Sequence, residues 1–81
     1  MNQTEIYQGL QEIFDELFLD KVAVSPTLSA PDVAEWDSLL HISLLAAVEK
    51  RFSIRFSVGE TESTDNVGEF VSLIAKHIHG R

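Results

Sequence analysis

Apolar side chains recur through residues 3 to 19 at a single helical spacing. Ile6, Leu10, Ile13, Phe14, Leu17 and Phe18 follow one another at intervals of four, three, one, three and one. This periodicity places all six on one face of a helix and leaves Gln8, Gln11, Glu12 and Asp15 outside it. Asn2 with Glu5 three positions on is a capping pattern for the helix start. A second stripe of the same kind runs through Val67, Phe70, Val71, Ile74 and Ile78, preceded by Asn66 and Glu69 and closed by Gly80. His77 and His79 fall in its last turn, where a protonated imidazole suits the negative end of the helix dipole.

Between the two stripes the pattern changes twice. Residues 20 to 36 hold both prolines of the chain and lose helical periodicity. They read as a long loop anchored by Val24, Leu28, Val33 and Trp36, and loops of this length in small domains are often functional. Residues 38 to 52 return to helix, with Leu39, Ile42, Leu45, Ala46 and Phe52 expected on or near the core side. Leu40, Leu44, Ala47 and Val48 widen the apolar arc beyond one stripe. Such a helix is either packed on two sides or shows apolar surface to a partner or ligand. Residues 53 to 66 alternate Ile54 and Phe56, turn polar through Gly59, and are expected to hold a short helical turn. The expected fold is an all-α four-helix bundle: three longer helices, a short third one, and a long loop between the first and second.

At 81 residues, one core is the normal solution, so residues 1–81 are read as a single freestanding domain. Thirteen acidic against six basic side chains give a net charge of −7. That field disfavours nucleic acid, which needs clustered Lys and Arg, and suits partners that present basic patches. There is no cysteine, so any thiol chemistry must use an imported group. The first residues lack the basic and apolar regions of a signal peptide, and no apolar run has the length to span a bilayer. The expectation is a cytoplasmic protein, monomeric and not inserted in membrane.

The residues that carry chemistry are Glu35-Trp36-Asp37-Ser38-Leu39. Asp37 and Ser38 lie where the long loop enters a helix, and Asp and Ser are preferred helix caps. A cap pair is one reading. The other is an attachment point: a hydroxyl at a helix start sits beside free N–H groups and the positive dipole end, a favourable place for a phosphodiester. A carboxylate next to it suits magnesium.

The run Asp37-Ser38-Leu39, followed by Leu44, Ala47, Val48, Glu49, Phe52 and Ile54, resembles the acyl carrier protein family over nearly the whole chain. The Trp-Asp-Ser-Leu-x-His form, with Phe52 to Phe56, is similar to specialised bacterial carriers of surface-saccharide, lipid or secondary-metabolite pathways. The resemblance implies a non-enzymatic carrier of acyl thioesters on a 4′-phosphopantetheine arm, transferred from coenzyme A to Ser38 by a phosphopantetheinyl transferase. Asp37 would aid the transferase and its metal. Acyl-loading and acyl-transfer or synthase enzymes are the further partners implied. An acyl cavity between the second and third helices is also implied, with Leu45, Val48 and Phe56 matched to its lining. Leu39, Leu40, Ser43 and Glu49 are candidates for partner docking. Where the family pattern has acids two and five positions after the serine, this chain has Leu40 and Ser43. The expectation is a dedicated pathway and poor docking on general fatty-acid-synthesis enzymes.

Other readings stand beside this one. A serine hydrolase would use His41, three residues after Ser38, but no G-x-S-x-G elbow or oxyanion hole is evident. Metal binding by His41, His77 and His79 lacks the i, i+4 pairing of a helical site, and no metal site is expected. A non-enzymatic interaction module with a carrier-like fold, or an aminoacyl or peptidyl carrier, remains open. Modification at Ser38 separates a carrier from an adaptor.

Overall fold

A computed structural model describes residues 2–57 and 59–80 of the chain. The capping pattern at the start forms: Asn2 Oδ1 accepts the Glu5 N–H at 2.9 Å, and Glu5 Oε1 accepts the Asn2 N–H at 3.1 Å. It opens α1 (Gln3–Leu17), whose buried side is Ile6, Gly9, Leu10, Ile13 and Phe14. The helix stops at Leu17, two residues before the end of its periodic stretch, because Phe18 takes an extended conformation. Glu35 then holds the exit, its carboxylate accepting the N–H groups of Leu19 at 2.7 Å and Asp20 at 3.2 Å.

The long loop is ordered by hydrogen bonds that its own composition does not announce. Gln11, on the polar flank of α1, donates from Nε2 to the Val22 carbonyl and accepts the Val24 N–H on Oε1, both at 2.8 Å. One side-chain amide thus substitutes for a strand partner and satisfies two loop backbone groups. Farther along, Ser29 and Asp32 bracket a 3₁₀ turn, Ala30–Asp32. The loop also finishes the last helix. The carbonyl of Leu28 accepts the Val67 N–H at 2.8 Å and that of Pro26 accepts the Gly68 N–H at 2.9 Å. These are donors that a helix start cannot satisfy internally. The approach is tight enough that a Cβ on Gly68 would lie 3.0 Å from the Pro26 oxygen.

Asp37 caps α2 (Ser38–Phe52), accepting the Leu40 N–H at 2.8 Å. The core face of this helix is Leu44, Val48 and Phe52, a single i, i+4, i+8 row. This corrects the expected orientation: Leu39 and Ile42 are 74% and 64% exposed, and Ala46 is exposed with them. The reason is that α2 is apolar nearly all round, so its own pattern does not select a face. Packing against α1 does, through Phe52 at Gly9. The helix ends at Ser53 in the left-handed conformation (φ 55°).

The expected short third helix is one 3₁₀ turn, Glu60–Ser63, entered from Gly59 at φ 78°. It leads to α3 (Val67–His79), capped by Asn66 accepting the Glu69 N–H at 2.9 Å. α1 packs against both α2 and α3. Their shared core joins Ile6, Leu10 and Phe14 to Leu44 and Val48 and to Val67, Val71 and Ile74, all at most 1% exposed. Each such side chain contributes roughly 1.5–3 kcal/mol on burial. The described helices with the loop and 3₁₀ turns make an all-helical bundle, and no described helix is long and apolar enough to cross a membrane.

Candidate functional site: the start of α2 and the cleft beside it

Asp37 and Ser38 divide the work that sequence alone left shared. Asp37 is the cap; Ser38 is the first residue inside the helix. Ser38 is exposed, and its hydroxyl has no partner among the described residues. The N–H groups of Ser38 and Leu39 are likewise unpaired, as expected for the first turn of a helix. One Asp37 carboxylate oxygen is engaged with Leu40, leaving the other to solvent. The site therefore presents an accessible nucleophilic oxygen, free backbone donors and an adjacent carboxylate.

Trp36 anchors this corner. Its ring meets Phe14 and Phe18 edge-on, at centroid distances of 5.3 and 5.9 Å, which ties the end of the loop to α1. Its Nε1–H donates to His41 Nδ1 at 3.2 Å, and the two rings lie 6.1 Å apart at 30°. His41 is half-buried, and burial lowers its pKa from the ordinary imidazole value. The loop conformation brings the indole onto it.

Two hollows adjoin the site. A groove of about 390 Å³ is lined by Trp36, Asp37, Ser38, His41 and Ile42 with Ala30. A cleft of about 360 Å³ between the first loop and the start of α3 includes Trp36, His41, Thr61, Asn66, Val67 and Phe70 in its walls. Trp36, His41 and Ala30 border both, so a continuous wall leads from Ser38 to the cleft. Leu45, Val48 and Phe56 line neither. Val48 is fully buried in the core, and Leu45 and Phe56 pack on it partly buried. Phe56 lies tilted against Phe70, with ring centroids 5.7 Å apart, and meets His77 edge-on at 5.3 Å.

Of the docking candidates, Leu39 and Ser43 are exposed, and Leu40 is half-buried. Glu49 is drawn inward, one carboxylate oxygen accepting the Phe56 N–H at 2.8 Å. Sequence reasoning left out Ile42, which stands with Leu39, Ser43 and Ala46 on one exposed face. The i, i+3, i+4, i+7 spacing was visible, but which side faced solvent was not. At the far end, Arg51 pairs with Glu12 at 2.8 Å, and His77 pairs with Glu60 at 2.9 Å.

A helical bundle with an exposed Asp-Ser helix start and an adjoining cleft has the form of a carrier domain, and comparison with known proteins agrees. An acyl carrier protein of Rubrobacter xylanophilus is 33% identical over 78 residues, 95% of this chain and 96% of that one. An acyl carrier protein of Acidothermus cellulolyticus is 32% identical over 76 residues, covering 93% and 90%. The solution structure of holo acyl carrier protein from Geobacter metallireducens superposes with a TM-score of 0.77 at 28% identity, covering 96% of this chain and 86% of that chain. No family model matches the chain. At this identity and coverage, the chain belongs to the acyl carrier protein family. Members of the family are carriers rather than catalysts and bear a covalent 4′-phosphopantetheine; this chain is not an enzyme. The residues at the start of α2 fit such a group, since an accessible hydroxyl stands beside unpaired backbone donors that suit an anionic diester.

Proposed function

We propose that this chain is a single carrier domain that bears its phosphopantetheine arm on Ser38 and presents acyl thioesters to partner enzymes of a dedicated pathway. The observation that carries the site assignment is the exposed Ser38 hydroxyl at the first position of α2, without a hydrogen-bond partner among the described residues. When bound, the arm supplies the thiol that a cysteine-free chain lacks. The chain's own contribution is to keep the serine oxygen accessible and to place backbone N–H groups where the diester charge falls. Asp37 keeps one oxygen available to the transferase's metal. Tethering then replaces free diffusion with a high local concentration of substrate.

A dedicated pathway is supported by the face next to Ser38. The first turn of α2 has no acid, and Leu39, Ile42 and Ala46 are exposed there. A partner reading this face must match shape and apolar surface rather than a row of carboxylates. Phosphopantetheinyl transferase and acyl-loading or transfer enzymes in the cytoplasm are the partners this reading requires.

Intact mass after incubation with coenzyme A, magnesium and a broad-specificity phosphopantetheinyl transferase tests the assignment. One added phosphopantetheine on the wild type and none on Ser38→Ala is the expected result. A folded wild type that stays unmodified, beside a control carrier that is modified, would move the chain to the class of interaction modules. Fast loading of the holo form by a general fatty-acid transacylase would remove the dedicated-pathway reading alone.

A further inference from the structure

An indole N–H can only donate, so its bond to His41 fixes the state of that ring. Nδ1 must be the bare acceptor nitrogen, and in the neutral ring the proton resides on Nε2. Burial, which lowers the His41 pKa, favours the neutral ring. Nε2–H has no protein acceptor among the described residues, although the ring is half-buried. The same ring borders both the groove at Ser38 and the cleft beyond it. Ligand sites of this kind, mostly apolar with few fixed polar groups, use those groups to set orientation.

We propose that His41 is a specificity-determining residue of the carrier: oriented by Trp36, its Nε2–H donates to a carbonyl oxygen of the group tethered at Ser38 as that group lies along the wall into the cleft. The inference rests on the carrier reading above and adds to it a named donor. Carbonyl oxygens occur both in the amides of the arm and in its cargo, and the bond to either has the same chemistry. The floor of the cleft, with Val67 and Phe70, accepts the apolar part of what is carried, while Thr61 and Asn66 add polar edges. Holding the carbonyl there draws the thioester off the solvent side until a partner competes for it.

The test is nitrogen-15 NMR of the full chain in apo, holo and acyl-loaded forms, each verified by intact mass. The apo spectrum should show bare Nδ1 and protonated Nε2 at His41. Arm attachment, or only acyl loading, should then shift the Nε2–H resonance downfield. Its exchange with water should slow about five-fold, the equivalent of one ordinary hydrogen bond. A response already in the holo form assigns the acceptor to the arm; a response only after loading assigns it to the cargo. Trp36→Phe, which frees Nδ1, should weaken the response, and His41→Gln, whose amide can still donate, should keep part of the arm- or cargo-induced shifts at Val67 and Phe70. His41→Phe should lose the arm- or cargo-induced shifts at Val67 and Phe70. An unchanged Nε2–H in both modified forms, or full retention of those shifts in His41→Phe, overturns the proposal. A chain whose mass shows no arm instead overturns the carrier reading beneath it.

Discussion

Gly9 of α1 faces the ring of Phe52 of α2 so closely that a Cβ there would lie 2.9 Å from Phe52 Cζ. Gly9 is buried in the middle of a helix, where glycine is about 1 kcal/mol worse than alanine by propensity. Crowding a packed core, however, costs about 1–3 kcal/mol. The crowding outweighs the gain in propensity, so Gly9→Ala should lower stability. A urea midpoint above that of the wild type would show that the Phe52 ring yields freely and that this contact does not set the α1–α2 spacing.

Trp36 is the only tryptophan, and its N–H bond to His41 requires a bare Nδ1. With the His41 pKa lowered by burial, the unfolded chain takes up this proton first as pH falls. Stability should therefore decline as pH drops from neutral through the ordinary imidazole range, and this contribution should level off below the folded value. Indole fluorescence should report the broken bond at the lower end of that window, where the folded ring takes up its proton, and the step should vanish in His41→Gln.

A separate acid step belongs to Glu60. The Ser57 N–H and then the His77 ring hold its carboxyl below the usual range. A depressed carboxyl contributes stability above its unfolded value and loses it as pH falls through the folded one. Denaturation midpoints measured down to about pH 3 should fall in this lower window, less so for Glu60→Gln.

Capping and attachment separate by one residue. Asp37→Ala removes the cap of α2 and should cost about 1 kcal/mol. Ser38→Ala removes an exposed hydroxyl without a partner among the described residues and should change stability by less than about 0.5 kcal/mol. Thermal denaturation of the two variants checks this; a larger loss for Ser38→Ala would make that serine structural.

The two faces of α2 should behave oppositely. Leu44→Ala empties a fully buried site and should cost about 2–5 kcal/mol. Ile42→Ala, largely exposed, should leave the denaturation midpoint nearly unchanged and slow transfer to or from the chain's own partner enzymes. A stability loss in Ile42→Ala comparable to that of Leu44→Ala would contradict the orientation of the helix.

These contrasts mark how far the sequence can be read. α1 and α3 were legible because each carries a single apolar stripe, and Ile6, Phe14, Phe70 and Ile74 are buried as their spacing requires. The cap at Asn2 was legible because its partner is three residues away. α2 was legible as a helix but not in its rotation, since Leu39 and Leu44 are equally apolar and only contact with α1 distinguishes them. The role of Gln11 was hidden for a different reason: a glutamine on a polar flank looks solvated, and its partners at Val22 and Val24 are brought to it by the folded loop. The place of Ser38 at a helix start was readable through its neighbours in sequence. The Trp36–His41 pair depends on how the loop returns, which no local pattern encodes.

The carbonyls of Pro26 and Leu28 complete the first turn of α3 from a loop far earlier in the chain. Assembly of the final helix is thereby coupled to the arrival of a segment that has little regular structure of its own. Closing so distant a contact is an entropic hurdle met before its reward, which places it among the slower steps of folding. Once made, it binds two walls of the cleft into one cooperative unit. The Val67 and Gly68 amides should then exchange with solvent together, at the rate at which the loop lets go.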